Sequence, residues 1–152
     1  MKKKTLSKRE IKDINEKISK YGFQFGKKEF AELAEDEKHK FLKADKALFF
    51  YVDGEWVPSL KALLSGRVGL KKVTVDMGAV KFVVNGADIM RPGIVEIEDN
   101  ISENEIVEIA DVDNKKPLAV GRALFGSPEM KEKKEGKAVK NLHFIGDDIW
   151  QA

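Results

Sequence analysis

Residues 75–94, with the sequence VDMGAVKFVVNGADIMRPGI, decide the expected fold of the second half of the chain. Val73 and Val75 alternate with polar residues, which is typical of a β-strand. Between residues 79 and 85 the spacing becomes helical, and one face is expected to carry Ala79, Phe82 and Val83. Gly86 follows where a left-handed helix terminus favours glycine. The stretch therefore predicts a strand followed by a short helix.

The polar side chains of this stretch are expected to gather at one place. Lys81 and Asn85 are four residues apart, so they lie together on the solvent side of the predicted helix. Pro92 and Gly93 are typical of a type II turn, in which proline fixes φ and glycine takes a positive φ. This rigid turn is expected to hold the guanidinium of Arg91 next to the two helix side chains.

Two sets of motifs resemble those of a known family. The segments GAVKFV and GADIMRPG, within residues 78–93, resemble the opening of the PUA domain, an RNA-binding module of pseudouridine synthases and archaeosine transglycosylases. They are most similar to the malignant T-cell-amplified sequence proteins and their short archaeal relatives. The segment NLHFIGDDIW, residues 141–150, resembles the end of the same domain. A looser resemblance relates residues 48–64 to the domain that precedes PUA in that branch.

The resemblance implies an α+β protein with two domains. Residues 1–68 are expected to form an N-terminal α/β pre-PUA-like domain, and residues 73–152 a PUA domain. The PUA domain is a small, mostly antiparallel β-barrel with two short helices. The residue pattern supports this architecture, because it predicts about six short strands in the second half of the chain. Residues 67–72 are expected to link the domains.

Three helices are expected in the first half of the chain. Ser7 and Glu10 have the spacing of a capping box that begins the first helix, and Gly22 ends it. Residues 28–37 are expected to form a second helix that buries Phe30, Leu33 and Ala34. A third helix, residues 59–65, is expected to turn its leucines inward: Leu60, Leu63 and Leu64.

The remaining elements are predicted from strand and turn signals. Residues 39–52 have strand character, and Asp53-Gly54 predicts a hairpin. The initial lysines are expected to be a solvated tail: Lys2, Lys3 and Lys4. Four strands are expected later in the chain, at residues 94–98, 105–112, 118–125 and 137–145. Gly121 is expected to mark a close backbone approach. A surface helix over residues 128–135 is expected to begin at Ser127 as N-cap and to be held by Met130.

Composition limits the functional classes. The chain has no cysteine, which excludes disulfides and thiolate metal sites, and its formal net charge is +2. Residues 1–68 carry 16 Lys/Arg against 11 Asp/Glu, whereas residues 69–152 carry 12 against 15. The second half is thus formally acidic, with its acidic residues concentrated before residue 114 and its basic residues after it. No apolar run has the length of a signal peptide or a membrane span, so a soluble, cytoplasmic protein is expected. A monomer is expected as well, although the sequence leaves the oligomeric state open.

Catalytic and cofactor motifs are not evident. His39 and His143 lie in different halves, and the sequence contains no phosphate-binding glycine loop, zinc-protease motif or nucleophile elbow. The pair Asp147-Asp148 is typical of a turn or helix start before Trp150. The chain is therefore expected to have no catalytic residue, no metal site and no cofactor.

The resemblance implies where RNA binds. In PUA domains the first helix, the following turn and the last strand together hold RNA, often a tRNA acceptor end. Carried over to this chain, the RNA-binding residues are Lys81, Asn85, Gly86, Arg91, Pro92, Gly93, Lys140, Asn141 and His143. A buried structural role is an equal alternative for His143. Because few aromatic side chains are expected at the surface, recognition of a folded RNA by its shape and 2′-hydroxyls is favoured over base stacking.

Three functions agree with these observations. The family resemblance favours a non-catalytic, translation-associated protein that binds tRNA or the rRNA of the small ribosomal subunit, alongside an initiation-factor-like protein partner. The second is an accessory RNA-specificity module for a modifying enzyme acting in trans. The third is a protein-interaction adaptor, which the acidic second half favours. The sequence leaves the identity of the RNA open.

Overall fold

The computed structural model describes residues 1–26, 29–44 and 47–152. The chain divides into two compact units, Met1–Gly69 and Leu70–Ala152. The predicted α+β class is confirmed, since each unit combines one β-sheet with short helices.

The first unit is built on a five-stranded antiparallel sheet in the order β1-β2-β3-β4-β5. The strands are β1 Lys2–Thr5, β2 Glu32–Glu35, β3 Lys40–Lys43, β4 Leu48–Val52 and β5 Glu55–Pro58. The predicted hairpin joins β4 to β5 through Asp53 and Gly54, whose φ angles are 52° and 82°. Two positive φ values give the strands the twist that a two-residue hairpin needs.

Two α-helices belong to this unit, α1 Lys8–Ile18 and α2 Leu60–Leu64, and a 3₁₀ turn, Ser19–Tyr21, extends α1. The predicted capping box is confirmed, because Ser7 and Glu10 hydrogen-bond each other's backbone amides. Hydrogen bonds from the Lys4 ammonium and from Ser7 together lower the pKa of Glu10 to about 2. The core is aromatic, with the ring centroids of Phe23 and Phe49 5.0 Å apart.

The helix predicted over residues 28–37 is wrong. Its residues 32–35 form β2, which pairs with β1 on one side and β3 on the other, while Lys28 lies outside the described residues. Leu, Ala and Glu are good helix formers, but helix propensity is a small energy term that pairing with two flanking strands overrides. Of the side chains expected to be buried, Ala34 is buried and Phe30 is exposed.

Three further expectations for the first unit need correction. Residues 2–5 form edge strand β1 rather than a tail. The strand predicted over residues 39–52 is two strands, β3 and β4, with Asp45 and Lys46 outside the described residues. In α2, Leu60 is buried, whereas Leu64 is largely exposed.

Arg67, predicted to belong to the link, is anchored within the first unit. Its guanidinium makes two hydrogen bonds to the Glu29 carboxylate, of 2.7 and 2.8 Å, and lies 4.3 Å from the centroid of the Phe23 ring. The hydrogen bonds from Arg67 lower the pKa of Glu29. Residue 67 is therefore part of the packed structure of this unit.

The second unit contains a six-stranded sheet in the order β7-β11-β10-β9-β6-β8. The strands are β6 Lys71–Val75, β7 Ile89–Met90, β8 Ile94–Ile97, β9 Ile106–Asp111, β10 Pro117–Ala123 and β11 Lys137–Phe144. Every pairing is antiparallel except that of β6 with β9. The prediction of about six, mostly antiparallel strands is confirmed. Fully buried core side chains include Val73, Val75, Val107, Ile109, Ala119 and Val139.

Three short helices accompany this sheet, one more than predicted: α3 Met77–Val83, α4 Ser127–Glu132 and α5 Asp148–Gln151. The predicted start of the last is confirmed, because Asp147 caps α5 by accepting the Trp150 amide. Ser127 is not the N-cap of α4, which is Gly126. The buried Ser127 hydroxyl instead donates to the Glu98 carbonyl and accepts from the Ile101 amide, so it ties α4 to the loop after β8.

Gly121 allows the close approach predicted for it. A β-bulge lies between Val120 and Gly121, opposite β11. A Cβ atom at this position would lie 2.5 Å from Cγ1 of Val139 and 2.7 Å from the carbonyl oxygen of Lys140. Only glycine fits without moving β11.

The acidic segment before residue 114 is not a continuous solvated face. Glu108 and Asp111 are both buried. The Asp111 carboxylate accepts the Asn114 amide at 2.5 Å and so orders the turn after β9. Burial raises the pKa of Glu108, although Lys72 acts in the opposite direction.

Candidate nucleic-acid interface

Helix α3 forms one wall of the candidate site. Asp76 caps the helix, its carboxylate accepting the Ala79 amide at 2.9 Å. Val83 faces the core as predicted, but Phe82 does not, since it is 57% exposed. An exposed aromatic ring therefore stands on α3 where the sequence predicted a buried one.

The turn after β7 forms the opposite wall, and its geometry differs from the predicted type II turn. Residues Arg91–Gly93 form a 3₁₀ turn closed by a hydrogen bond from the Ile94 amide to the Arg91 carbonyl. The φ angle of Gly93 is not positive, so its backbone conformation does not require glycine. The limited space around it does require glycine, because a Cβ atom at Gly93 would lie 3.1 Å from Cβ of Ala79. The Asp76 amide also donates to the Gly93 carbonyl at 2.9 Å.

The Arg91 guanidinium is engaged inside the protein rather than beside Lys81 and Asn85. Its Nε donates to the Met130 carbonyl at 2.9 Å, and Nη1 donates to the Ile94 carbonyl at 3.1 Å. A longer bond of 3.5 Å reaches the Lys131 carbonyl. Arg91 thereby joins the 3₁₀ turn to the end of α4.

Between these walls lies a groove of about 500 Å³. Its lining is mostly apolar and consists of Asp76, Gly78, Ala79, Phe82, Val83, Ala87, Asp88, Ile89, Met90, Pro92 and Gly93. Three large apolar side chains in this region are substantially exposed: Met77, Phe82 and Met90. We call this surface the α3 groove. A cluster of exposed apolar side chains beside a groove is typical of a binding site.

The polar residues predicted at the end of α3 are close together. The Asn85 amide donates to the Lys81 carbonyl at 2.6 Å, and the Lys81 ammonium lies 5.1 Å from the centroid of the Phe82 ring. Gly86 has φ +93°, which confirms the predicted left-handed helix end. It also lets the ring of Phe144 approach to 3.0 Å from the position of a Cβ atom.

Strand β11 joins the site through Asn141 and two lysines. The Asn141 side-chain amide donates to the carbonyls of Val83 and Ala87, at 3.1 and 3.0 Å, and thus fixes the end of α3. Its backbone amide donates to the Asp88 carboxylate at 2.9 Å. Lys137 forms an ion pair with Asp88 at 3.2 Å, and exposed Lys140 acts on the same carboxylate.

The charge of Asp88 is stabilised at this point. Partial burial alone would raise the pKa of Asp88, but the Asn141 amide and the Lys137 ammonium outweigh burial and lower it. The carboxylate therefore serves as an internal acceptor that holds β11 beside the loop after α3.

His143 lies apart from these surface groups. Its ring is fully buried, and Nδ1 is 2.9 Å from the Asp147 carboxylate. The same carboxylate accepts the Phe144 and Trp150 amides. This agrees with the structural alternative given for His143.

The structure thus unites most, but not all, of the predicted residues. Those at or beside the α3 groove are Lys81, Asn85, Gly86, Pro92, Gly93, Lys140 and Asn141. Sequence reasoning missed the exposed Phe82, because its neighbour Val83 satisfies the same apolar periodicity. It also missed Asp88 as the acceptor that joins the elements.

The described residues contain neither a metal-binding cluster nor a membrane-spanning helix. Within residues 1–26, 29–44 and 47–152, no group of three or more metal-ligating side chains could hold a metal ion. In the same ranges no helix is long and apolar enough to cross a membrane.

Comparison with known proteins identifies the two halves. The PUA domain family matches residues 71–145, and a family described as a domain of unknown function, DUF1947, matches residues 2–65. An uncharacterized protein of Methanocaldococcus jannaschii is 41% identical over 151 residues, covering 95% of this chain and 93% of that protein.

Eukaryotic relatives include translation machinery-associated and malignant T-cell-amplified sequence proteins. Translation machinery-associated protein 20 of Saccharomyces cerevisiae is 32% identical, over 76% of this chain and 67% of that protein. The malignant T-cell-amplified sequence 1 homolog of Drosophila melanogaster is 29% identical, over 71% of this chain and 61% of that protein.

Solved structures agree with this assignment. A conserved PUA domain protein from Thermoplasma acidophilum superposes with a TM-score of 0.80 at 30% identity, covering 99% of this chain and 98% of that chain. A chain of an H/ACA RNP bound to a substrate RNA gives a TM-score of 0.51 at 31% identity, covering 63% of this chain and 29% of that chain. PUA domains bind RNA, and this chain belongs to the family of PUA proteins that includes translation machinery-associated protein 20 and the malignant T-cell-amplified sequence proteins.

Proposed function

We propose that this chain acts in translation by binding the unpaired end of a structured RNA, such as a tRNA acceptor end, in the α3 groove. The observation that carries the proposal is the exposed Phe82 ring beside an apolar groove, with the Lys81 ammonium 5.1 Å from its centroid. Exposed Lys137 and Lys140 lie on the neighbouring strand β11.

These groups suit an unpaired strand better than a duplex. A base can stack on an aromatic ring whatever its identity, and such stacking contributes about 1–3 kcal/mol per base. Bases in a duplex are already stacked and paired, so a stem offers no free base face to an aromatic ring. The exposure of Phe82 therefore adds base stacking to the shape recognition expected from the sequence.

The charge distribution supports the same ligand. The second half of the chain is formally acidic, but Glu108 and Asp111 are buried and Asp88 is paired with Lys137. Lys81 and Lys140 are exposed beside the groove, where they can neutralise phosphates. A small set of cations in the right place outweighs net charge, because charges more than about 8 Å away are screened at physiological salt.

A binding role without catalysis follows from the groups that line the groove. The two carboxylates in the lining are both engaged by the protein: Asp76 accepts the Ala79 amide, and Asp88 accepts the Asn141 amide. The lining, as formed by the described residues, contains no other titratable side chain and no Ser, Thr, Cys or Lys nucleophile. We expect incubation of tRNA with the purified chain to leave its nucleoside composition unchanged.

The decisive experiment compares intact tRNA with tRNA that lacks its unpaired 3′ end. Fluorescence anisotropy should show weaker binding of the truncated tRNA to the native chain. Phe82→Ala should weaken binding of intact tRNA by roughly tenfold but change binding of truncated tRNA little, and Phe82→Trp should restore the affinity. Equal binding of both tRNAs by the native chain would overturn the proposal.

The place in translation is tested separately. The chain should co-sediment with purified small ribosomal subunits, as its similarity to translation machinery-associated protein 20 suggests. Likeness to a chain of an H/ACA RNP favours a second candidate, an accessory module for an RNA-modifying enzyme. Recovery of tagged chain with such an enzyme, and not with ribosomal subunits, would favour that second function.

A further inference from the structure

A row of paired side chains crosses the sheet of the first unit. The register pairs Lys2 with Glu35, Glu35 with Lys40, and Tyr51 with Trp56. The pairing of Phe41 with Phe50 places Lys40 next to Tyr51 across β3 and β4. Directly paired residues project from the same face of a sheet, so these five side chains form one line, which we call the cross-strand row.

The centre of the row combines a fixed aromatic ring with a cation. The rings of Tyr51 and Trp56 meet edge to face, with centroids 5.1 Å apart. The Lys40 ammonium lies 4.8 Å from the Tyr51 centroid and 5.7 Å from that of Trp56. Trp56 is buried whereas Tyr51 is 43% exposed, so the inner ring holds the outer one in place at the surface.

Charge around the row favours a polyanion. Residues 1–68 have a net charge of +5. At one end of the row, edge strand β1 carries exposed Lys2, whereas Lys3 projects from the opposite face and Lys4 is ion-paired with Glu10. Lysines on an edge strand also prevent it from pairing with other sheets, which explains the lysines of β1. Protection of an edge does not explain why an exposed tyrosine lies beneath a lysine on the interior strands β3 and β4.

We propose that the cross-strand row is a second RNA-contact surface, in which a base stacks on Tyr51 while Lys40 and Lys2 bind phosphates. Single-stranded RNA is the ligand that fits, since aromatic rings interleaved with cations bind unpaired strands without sequence preference. The proposal assigns RNA binding to the half of the chain that matches a domain of unknown function. It does not depend on the α3 groove.

The test uses the full chain and polyuridylate, with binding followed by anisotropy over a range of NaCl concentrations. Tyr51→Leu should weaken binding on the order of tenfold, whereas Tyr51→Phe, which keeps the ring, should bind like the native chain. Phe30→Leu is the matched control, because Phe30 is an exposed aromatic of the same unit outside the row. It should leave the affinity unchanged.

Lysine variants provide an independent measurement. Lys40→Ala should reduce the dependence of log K on log salt by about 0.7, the contribution of one single-strand phosphate. Lys40→Arg should retain the slope. Thermal melting of each variant establishes that the affinity is measured on folded protein.

The same variants in a Phe82→Ala background separate this proposal from the function proposed for the α3 groove. If the two surfaces bind RNA separately, Tyr51→Leu should weaken RNA binding in the Phe82→Ala background as well. If the Phe82 substitution leaves the affinity unchanged while the Tyr51 and Lys40 substitutions weaken binding, the proposal for the α3 groove is wrong and the proposal for the cross-strand row is supported. Native affinity and salt slope in both Tyr51→Leu and Lys40→Ala would overturn the row as an RNA surface and leave protein as its ligand.

Discussion

Arg91 belongs to the motif that resembles PUA domains, but its role in this chain is structural. The family resemblance implied that Arg91 binds RNA, but its guanidinium binds the backbone carbonyls of Ile94 and Met130. No sequence pattern specifies backbone carbonyl acceptors, and the Met130 carbonyl lies 39 residues away in the sequence. Lys81 could be assigned to the surface from helical spacing alone, since that spacing is local.

We expect Arg91→Ala to lower the free energy of unfolding by on the order of 2 kcal/mol, because the backbone carbonyls would lose their charged hydrogen-bond donor. Urea denaturation measures the change. Lys81→Ala is the control and should leave unfolding unaltered, as Lys81 is exposed. Equal stability of the two variants would mean that the guanidinium bonds contribute nothing in solution.

Gly93 is required by crowding rather than by its φ angle. Gly93→Ala should destabilise the chain by about 1–2 kcal/mol, because its Cβ would press on that of Ala79. Ala79→Gly removes the opposing atom. In a double-mutant cycle followed by urea denaturation, the pair should lose less than the sum of the single losses. Strict additivity would show that the two positions do not press on each other.

Asp88 predicts a particular dependence of stability on pH. Its folded-state pKa is lowered, so its contribution is complete above the unfolded value of about 3.9 and is lost as pH falls towards the folded value. The difference in unfolding free energy between the native chain and Asp88→Asn should therefore shrink as pH falls below about 4. Urea denaturation across this range measures it, and a constant difference would contradict the prediction.

The caps and turns that were predicted correctly depend on residues that are close together in the sequence. The capping box at Ser7, the Asp53-Gly54 hairpin and the left-handed Gly86 all involve neighbours in sequence, and all are present. Strand β2 was missed because pairing on both sides determines it. Strand β1 was missed because three lysines carry no apolar alternation.

The bulge at Gly121 is the element whose loss should affect the site most. Gly121→Ala should cost about 3 kcal/mol, the upper end of overpacking, because its Cβ would overlap Val139 and the Lys140 carbonyl. Since relief requires β11 to move, RNA affinity should fall together with stability. Gly136→Ala is a matched control with open space around the new Cβ, although its φ of +84° carries a smaller strain cost. Comparable losses in both variants would argue against crowding at the bulge.

For the whole molecule, placement of charge matters more than its sum. Lys81→Ala and Lys140→Ala should each reduce the salt slope of RNA binding by about 0.7. Lys116→Ala removes an exposed lysine that does not line the α3 groove and should have little effect. Equal slopes for all three variants would indicate non-specific attraction by the whole surface.

The strand order has a consequence for synthesis on the ribosome. The loop after α3 and strand β7 are held by β11, through Asp88 to Asn141 and through the pairing of Met90 with Lys137. More than 45 residues separate these partners, so closing the intervening loop must precede any benefit from their contact. A nascent chain that already exposes α3 therefore still lacks a finished groove. Capture of RNA in the α3 groove should begin only after residues 137–144 have left the exit tunnel, so a growing chain cannot bind RNA there prematurely.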